Sequence, residues 1–171
     1  MSSQLRQSHA FGFKRAALAL ALMLSATSGY AQRAMESPFA HLSGYWSGAG
    51  TITMRDGATE RLRCKATYAV SPTGRALNQS LRCASDSYRL DISSNVTFEA
   101  GAISGTWSEM TRNASGSLSG RASSTEIRAR VDGAGFSAGI DVLTRGNQQS
   151  VTIRPQSGTD VAGVSITMRK I

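Results

Sequence analysis

The side chains of this sequence that could perform chemistry are few: two cysteines, two histidines and one carboxylate on the inward side of a predicted strand. Catalysis near neutral pH usually needs a histidine base or a pair of carboxylates. His9 and His41 both precede the first predicted strand, and Glu109 has no acidic partner on an inward position. A P-loop, a dinucleotide-binding glycine fingerprint and an HExxH motif are also missing from the sequence. We therefore predict that the protein is not an enzyme.

Residues 1–31 have the pattern of a secretory signal peptide. The pair Lys14-Arg15 precedes the apolar run 16–24, and Ala31 ends a small-residue cleavage site. The alternative is an N-terminal membrane anchor, for which the apolar run is short. We expect cleavage near Ala31, a periplasmic or secreted location and no transmembrane segment after the signal. The predicted organisation is a signal peptide over 1–31, a leader over 32–43 and a barrel domain over 44–171.

Cys64 and Cys83 lie in two alternating apolar and polar segments on either side of a turn. The run Ser-Pro-Thr-Gly at 71–74 supplies the turn, because proline fixes φ and glycine accepts a positive φ. If Val70 faces Leu77, Cys64 lies directly opposite Cys83 on the apolar side. In an oxidising compartment such a pair most simply forms a disulfide, and without a nearby histidine it cannot complete a zinc site. We therefore predict a disulfide and no metal site.

Short alternating strands recur along residues 44–171, separated by turn signals such as Arg55-Asp56-Gly57, and no helical period persists. The spacing predicts an all-β protein with about ten strands. Tight turns without long crossovers favour an up-and-down antiparallel meander, which removes its edge strands by closing into a small barrel. A two-sheet sandwich is the alternative.

The first predicted strand opens with Gly44-Tyr45-Trp46-Ser47-Gly48-Ala49-Gly50, which has the form Gly-x-Trp-x-Gly-x-Gly. With the meander that follows, it resembles the calycin-like barrels, namely lipocalins, fatty-acid-binding proteins and nitrobindin-type ten-stranded haem-binding barrels. It is also similar to small secreted proteins of alphaproteobacterial type that have no assigned activity. The resemblance implies that Trp46 plugs the closed end of a barrel whose cavity holds an apolar or amphipathic ligand.

The same resemblance raises the question of haem, because nitrobindin-type barrels hold haem through a histidine late in the chain. No histidine lies within residues 44–171, and Tyr68, Tyr88 and Met168 are more simply core residues than iron ligands. We therefore expect no cofactor. A fainter resemblance, to periplasmic metalloprotease inhibitors, implies that residues 32–40 could enter a protease cleft.

The inward aromatic and polar side chains are the candidate contacts for a ligand: Trp46, Tyr68, Gln79, Tyr88, Trp107 and Glu109. Glu109 either hydrogen-bonds a ligand at the cavity mouth or is a strand-end residue that reaches solvent or pairs with Arg112. Gln79 faces Tyr68 in the hairpin register, so the two either meet a ligand or hydrogen-bond each other. A hollow interior would favour a ligand-binding role, and a filled one a structural role.

The clearest predicted surface feature is a basic patch formed by Arg61, Arg63, Lys65 and Arg82, in which Lys65 faces Arg82. After cleavage of the predicted signal peptide, residues 1–31, the chain keeps 16 basic and 11 acidic residues, so its net charge is about +5. The patch either attracts an anionic envelope component or is a solvated face that discourages strand pairing. Export argues against nucleic acid as a partner.

Three functions are compatible with these observations. The first is an exported, non-catalytic barrel that binds a small apolar or amphipathic ligand. The second is a structural or interaction protein of the cell envelope that acts through its basic surface. The third is a periplasmic protease inhibitor.

Overall fold

The computed structural model describes residues 36–171, which form a closed antiparallel barrel of ten strands. The strands are β1 (Gly44–Met54), β2 (Thr59–Val70), β3 (Ala76–Ala84), β4 (Arg89–Glu99), β5 (Ala102–Glu109), β6 (Ala114–Ala122), β7 (Glu126–Gly133), β8 (Phe136–Arg145), β9 (Gln148–Ser157) and β10 (Val161–Lys170). The predicted signal peptide and the first residues of the predicted leader lie outside the described residues. No helix between residues 36 and 171 is long and apolar enough to cross a membrane.

Each strand pairs with its neighbours in sequence, and β10 returns to pair with β1. This ring of backbone hydrogen bonds leaves no unpaired edge among the ten strands. The predicted all-β meander closed into a barrel is therefore confirmed, and the two-sheet sandwich is wrong.

The alternation of side chains on β2 shows why these segments become strands. Leu62, Cys64, Ala66 and Tyr68 are buried, and the residues between them are exposed. A period of two puts every second side chain on the same face of a strand, so this sequence buries one face and leaves the other in water. The same alternation recurs over residues 94–99 of β4 and 164–169 of β10.

The hairpin of β2 and β3 has the predicted register. Val70 lies opposite Leu77, and Cys64 lies opposite Cys83. The two cysteines form a disulfide in the barrel interior, and their Cα atoms are 4.1 Å apart. The turn between the strands ends at Gly74, whose φ of 70° is the left-handed conformation that favours glycine.

Residues before β1 close one end of the barrel. Phe39 is completely buried and packs edge-on against Phe98, with ring centroids 6.3 Å apart. Leu42 is buried beside it, and its carbonyl accepts a 2.8 Å hydrogen bond from Nε1 of Trp46. The second half of the segment predicted as a leader is therefore part of the core. Its sequence carries only two large apolar residues, which is too few to show a period.

We predict that replacing both Cys64 and Cys83 with alanine lowers the free energy of unfolding by about 3 kcal/mol. The cystine joins residues 19 positions apart, and its loss frees that segment in the unfolded chain. Urea unfolding of the oxidised protein, the reduced protein and the double variant measures the effect. Equal midpoints for all three would contradict it.

We also predict that Phe39→Ala destabilises the protein by about 3–5 kcal/mol, because it opens a cavity in a packed end of the barrel. His41→Ala is the matched control, since the His41 side chain is 77% exposed. Thermal and urea unfolding of the two variants provide the comparison. Similar stabilities would mean that residues 36–43 are a loose leader and not a plug.

Candidate functional site

The barrel encloses a cavity of about 350 Å³. Its wall is mainly aliphatic and aromatic, with residues from nine of the ten strands and with Phe39 and Leu42 forming its floor. Five of the six predicted ligand contacts line it: Tyr68, Gln79, Tyr88, Trp107 and Glu109. Trp46 does not line the cavity, because it lies in the plug, where its ring packs edge-on against Tyr68 at 6.0 Å.

The mouth of the cavity lies at the end of the barrel away from the plug. The residues that line this end belong to the connections β3–β4, β5–β6, β7–β8 and β9–β10, and they include Tyr88, Arg112, Ala134 and Thr159. The Arg112 guanidinium lies over the Tyr88 ring, 4.4 Å from its centroid, so a cation and an aromatic face roof part of the opening. The sequence predicts Arg112 only as an ion-pair partner of Glu109, not as a residue of the cavity mouth. Its place in the mouth depends on how two distant loops meet.

Tyr88 is half-buried in this mouth. Burial raises the pKa of its hydroxyl above the ordinary value, and the nearby Glu109 charge adds to this, while Arg112 and a hydrogen bond with Thr159 act in the opposite direction. The phenol is therefore neutral at physiological pH, so it offers a ligand a neutral hydrogen-bonding group.

Glu109 is fully occupied by the protein itself. Its carboxylate accepts hydrogen bonds from the backbone N–H groups of Asp91 (3.0 Å), Thr111 (3.1 Å) and Arg112 (2.7 Å), and from the Thr111 hydroxyl (2.6 Å). The Arg112 guanidinium lies 3.6 Å away. Of the two predicted roles, the structure places Glu109 in the pairing with Arg112. The carboxylate joins the end of β5 to β4 and holds the loop that carries Arg112.

The charge state of Glu109 follows from these contacts. Burial raises the pKa of the carboxyl group, but the hydrogen bonds from Asp91, Thr111 and Arg112 outweigh burial and hold the pKa below its ordinary value of 4.5. A carboxyl group whose pKa is lower in the folded state stabilises the fold above its unfolded pKa. That contribution is lost as the pH falls through the folded pKa.

Two further polar contacts lie deeper in the barrel. The Tyr68 hydroxyl donates a 2.6 Å hydrogen bond to Oε1 of Gln149, whose Nε2 donates to Thr144 at 3.2 Å. Gln79 lies opposite Tyr68 as predicted, but it accepts its hydrogen bond from Ser94 at 3.0 Å. The predicted Tyr68–Gln79 bond is therefore wrong, because Tyr68 reaches across the barrel interior to β9. Burial raises the pKa of Tyr68 and outweighs its bond to Gln149, so this phenol is also neutral.

Trp107 lies on β5 and packs against residues of β7 and β8. Its ring packs edge-on against Phe136 at 5.6 Å. A Cβ atom on Gly133 would lie 2.6 Å from the carbonyl oxygen of Ser115 and 2.9 Å from Cζ2 of Trp107, so a glycine at this position gives room to both the neighbouring strand and the indole. The Trp107 Nε1 is buried and is the one such side-chain atom among residues 36–171 without a hydrogen-bond partner.

One serine pattern of hydrolases occurs at the mouth, because Gly135-Phe136-Ser137-Ala138-Gly139 matches Gly-x-Ser-x-Gly. The chemistry of that pattern needs a strand–turn–helix connection that exposes the serine beside a histidine. Here it spans a hairpin turn and the start of β8, and the Ser137 hydroxyl is hydrogen-bonded to Ser157 at 3.0 Å. The match is therefore coincidental.

The three residues named as possible iron ligands, Tyr68, Tyr88 and Met168, all line the cavity, and Tyr88 is the one at its mouth. Met168 is completely buried in the core, and Tyr68 is bonded to Gln149. Within the part of the chain that the structure describes, no group of three or more His, Cys, Asp or Glu side chains is placed to hold a metal ion.

The basic patch lies on the outer surface, away from the cavity. Arg61, Arg63 and Lys65 are exposed on β2, and Lys65 lies opposite Arg82 on β3 as predicted. Arg82 also forms a 3.1 Å ion pair with Asp91 on β4.

Comparison with known proteins supports the fold. No protein-family model matches the sequence, and no curated protein matches it. The barrel is similar to the crystal structure of Rv2717c from M. tuberculosis, with a TM-score of 0.63, 10% identity, and coverage of 77% of this chain and 94% of that one. It is also similar to the S-type phycobiliprotein lyase CPES from Guillardia theta, with a TM-score of 0.54, 12% identity, and coverage of 78% and 90%. At these identities the likeness concerns the fold alone, and it fits the calycin-like barrel architecture expected from the sequence.

We predict that Glu109→Gln lowers the free energy of unfolding by about 1–3 kcal/mol at pH 7, because the amide cannot replace a carboxylate that accepts four hydrogen bonds. The difference between variant and wild type should shrink as the pH falls below 4.5 through the folded pKa of Glu109. Urea unfolding at pH 7 and pH 3 measures both effects. The exposed Glu99→Gln is the control, and a Glu109 effect that does not change with pH would contradict the role of the charge.

Proposed function

We propose that the protein is an exported, non-catalytic barrel that binds a small apolar or amphipathic molecule in its interior. The observation that carries the proposal is the cavity of about 350 Å³ with a mainly apolar wall and a mouth at one end. Ligand-binding pockets usually occupy roughly 300–1,000 Å³ and combine apolar walls with a few polar groups. The interior is therefore large enough for a molecule of modest size.

The distribution of polar groups supports an amphipathic ligand. Arg112 is the one cationic side chain among the residues that line the cavity, and it lies at the mouth. The deeper polar groups are neutral, namely Tyr68, Gln79, Ser94 and Gln149. An apolar body inside the barrel with a polar group at the mouth would suit this arrangement, because it leaves the polar end near water.

The protease-inhibitor alternative is less well supported. It requires residues 32–40 to enter a protease cleft, but Phe39 is completely buried in the plug. Withdrawing this side chain would expose the floor of the cavity and would cost about 3–5 kcal/mol.

Export of the protein is part of the proposal. Two observations are compatible with it: the Cys64–Cys83 disulfide, which forms most readily in oxidising compartments, and the pattern of residues 1–31. The likeness to solved structures concerns the fold and does not indicate which ligand is bound.

We predict that Ala129→Phe weakens binding of an apolar fluorescent probe by about tenfold or more, because Ala129 lines the cavity and the larger ring would occupy it. Ala84→Phe is the matched control, because Ala84 is exposed on the outside of β3. Probe titration measures affinity, circular dichroism verifies the fold, and native mass spectrometry of the exported protein detects a co-purified ligand. Equal probe affinity for the two folded variants would overturn the proposed cavity site.

A further inference from the structure

One side of the barrel exposes cations without matching acids. The outward positions of β10, β1, β2 and β3 carry five basic residues, which we call the basic face: Arg61, Arg63, Lys65, Arg82 and Arg169. Glu60 is the one acidic residue within these four strands, and its carboxylate accepts hydrogen bonds from Ser85 and Ser87. Arg82 alone on this face has an acidic partner among the described residues, Asp91 on β4.

The other side of the barrel is different. On the strands β7 to β9, Arg128 pairs with Glu126 at 2.7 Å, Arg130 with Asp132 at 2.9 Å, and Arg154 with Asp141. These three cations are compensated locally, and Arg145 at the end of β8 is the one basic residue of the three strands without an acidic partner among the described residues. The excess positive charge of the described residues is therefore concentrated on the basic face, which gives the barrel a positive side.

The register shows how the cations of the basic face are arranged. Lys65 lies opposite Arg82 on one side and opposite Ser47 on the other, and Ser47 lies opposite Arg169. Neighbouring strands are about 4.8 Å apart, and successive outward residues of one strand are about 7 Å apart. The cations therefore form a two-dimensional array over a convex sheet. An array of this kind matches many mobile anionic groups in a plane better than one anion in a pocket.

An exposed apolar pair lies next to this array. Tyr45 on β1 is 68% exposed, and Ile171 beside it is 83% exposed. The backbone N–H of Ile171 donates a 2.9 Å hydrogen bond to the Tyr45 carbonyl, so the two residues are neighbours. Tyr45 is two positions from Ser47 on β1, and Ser47 lies between Lys65 on β2 and Arg169 on β10. Tyrosine is favoured at the boundary between water and lipid because its ring is apolar and its hydroxyl is polar.

We propose that the basic face is a docking surface for an anionic lipid bilayer, with Tyr45 at the level of the headgroups. Basic residues supply the attraction, and the aromatic ring adds burial at the interface. The mouth of the cavity lies at the other end of the barrel from Tyr45, so docking leaves it open. The inference depends on surface chemistry and stands apart from the proposed cavity ligand.

Vesicle sedimentation tests this proposal directly. Wild-type protein should bind vesicles that contain phosphatidylglycerol and should not bind vesicles of phosphatidylcholine alone. The variant R63Q/K65Q should bind anionic vesicles roughly 25-fold more weakly, since each cation near an anionic surface contributes roughly fivefold. The matched control is R121Q/R145Q, which removes the same charge from two exposed arginines that form no ion pair with the described residues. Its affinity should fall much less.

Every variant carries the same N-terminal segment, so differences between them report the surface alone. Binding should weaken steeply as salt is raised, and Tyr45→Ser should remove part of the binding that remains at high salt. Three results would overturn the proposal: no binding of wild-type protein to anionic vesicles, equal losses in the two double variants, or binding only to a soluble polyanion such as an acidic polysaccharide or protein.

Discussion

The pairing of β1 with β10 is the constraint on which the rest of this structure depends. It joins the first strand to the last and completes the ring of hydrogen bonds. The two backbones approach closely, since a Cβ atom on Gly48 would lie 2.0 Å from the carbonyl oxygen of Thr167. Gly48 and Gly50 permit this approach, which explains the second and third glycines of the opening motif. Closure turns the inward side of every strand towards one enclosed space.

The enclosed space is hollow because one part of its wall carries much smaller side chains than the rest. The inward positions of β6 and β7 include Gly116, Gly120 and Ala129, where other strands carry leucine, isoleucine or tryptophan. Aromatic residues make up only 6% of the sequence, and several of them belong to the plug. A ring of ten strands is wider than the eight-stranded barrels whose interiors side chains can just fill. Small residues on one wall of a wide ring leave a cavity that the large residues of the other wall cannot occupy.

The two ends of the barrel and its outer surface have separate roles. Phe39, Leu42 and Trp46 fill one end, so stability there depends on close packing. At the other end, the Glu109 carboxylate holds the loop of Arg112, so charge and hydrogen bonding shape the mouth. The basic face lies on the outer side of β10, β1, β2 and β3, so its side chains point away from the interior that the inward residues of β2, β3 and β10 line.

The sequence by itself determined the strands, the hairpin register and the cystine, because these depend on a period of two and on short turns. Because side chains alternate along a strand, the local pattern decides that Leu62, Cys64 and Tyr68 point inward, whichever residues lie across the barrel. It could not determine the partner of Tyr68, the plug formed by Phe39, or the contact of Arg112 with Tyr88. Those contacts join residues far apart in sequence. They exist only because closure of the ring brings opposite walls and distant loops within reach of single side chains.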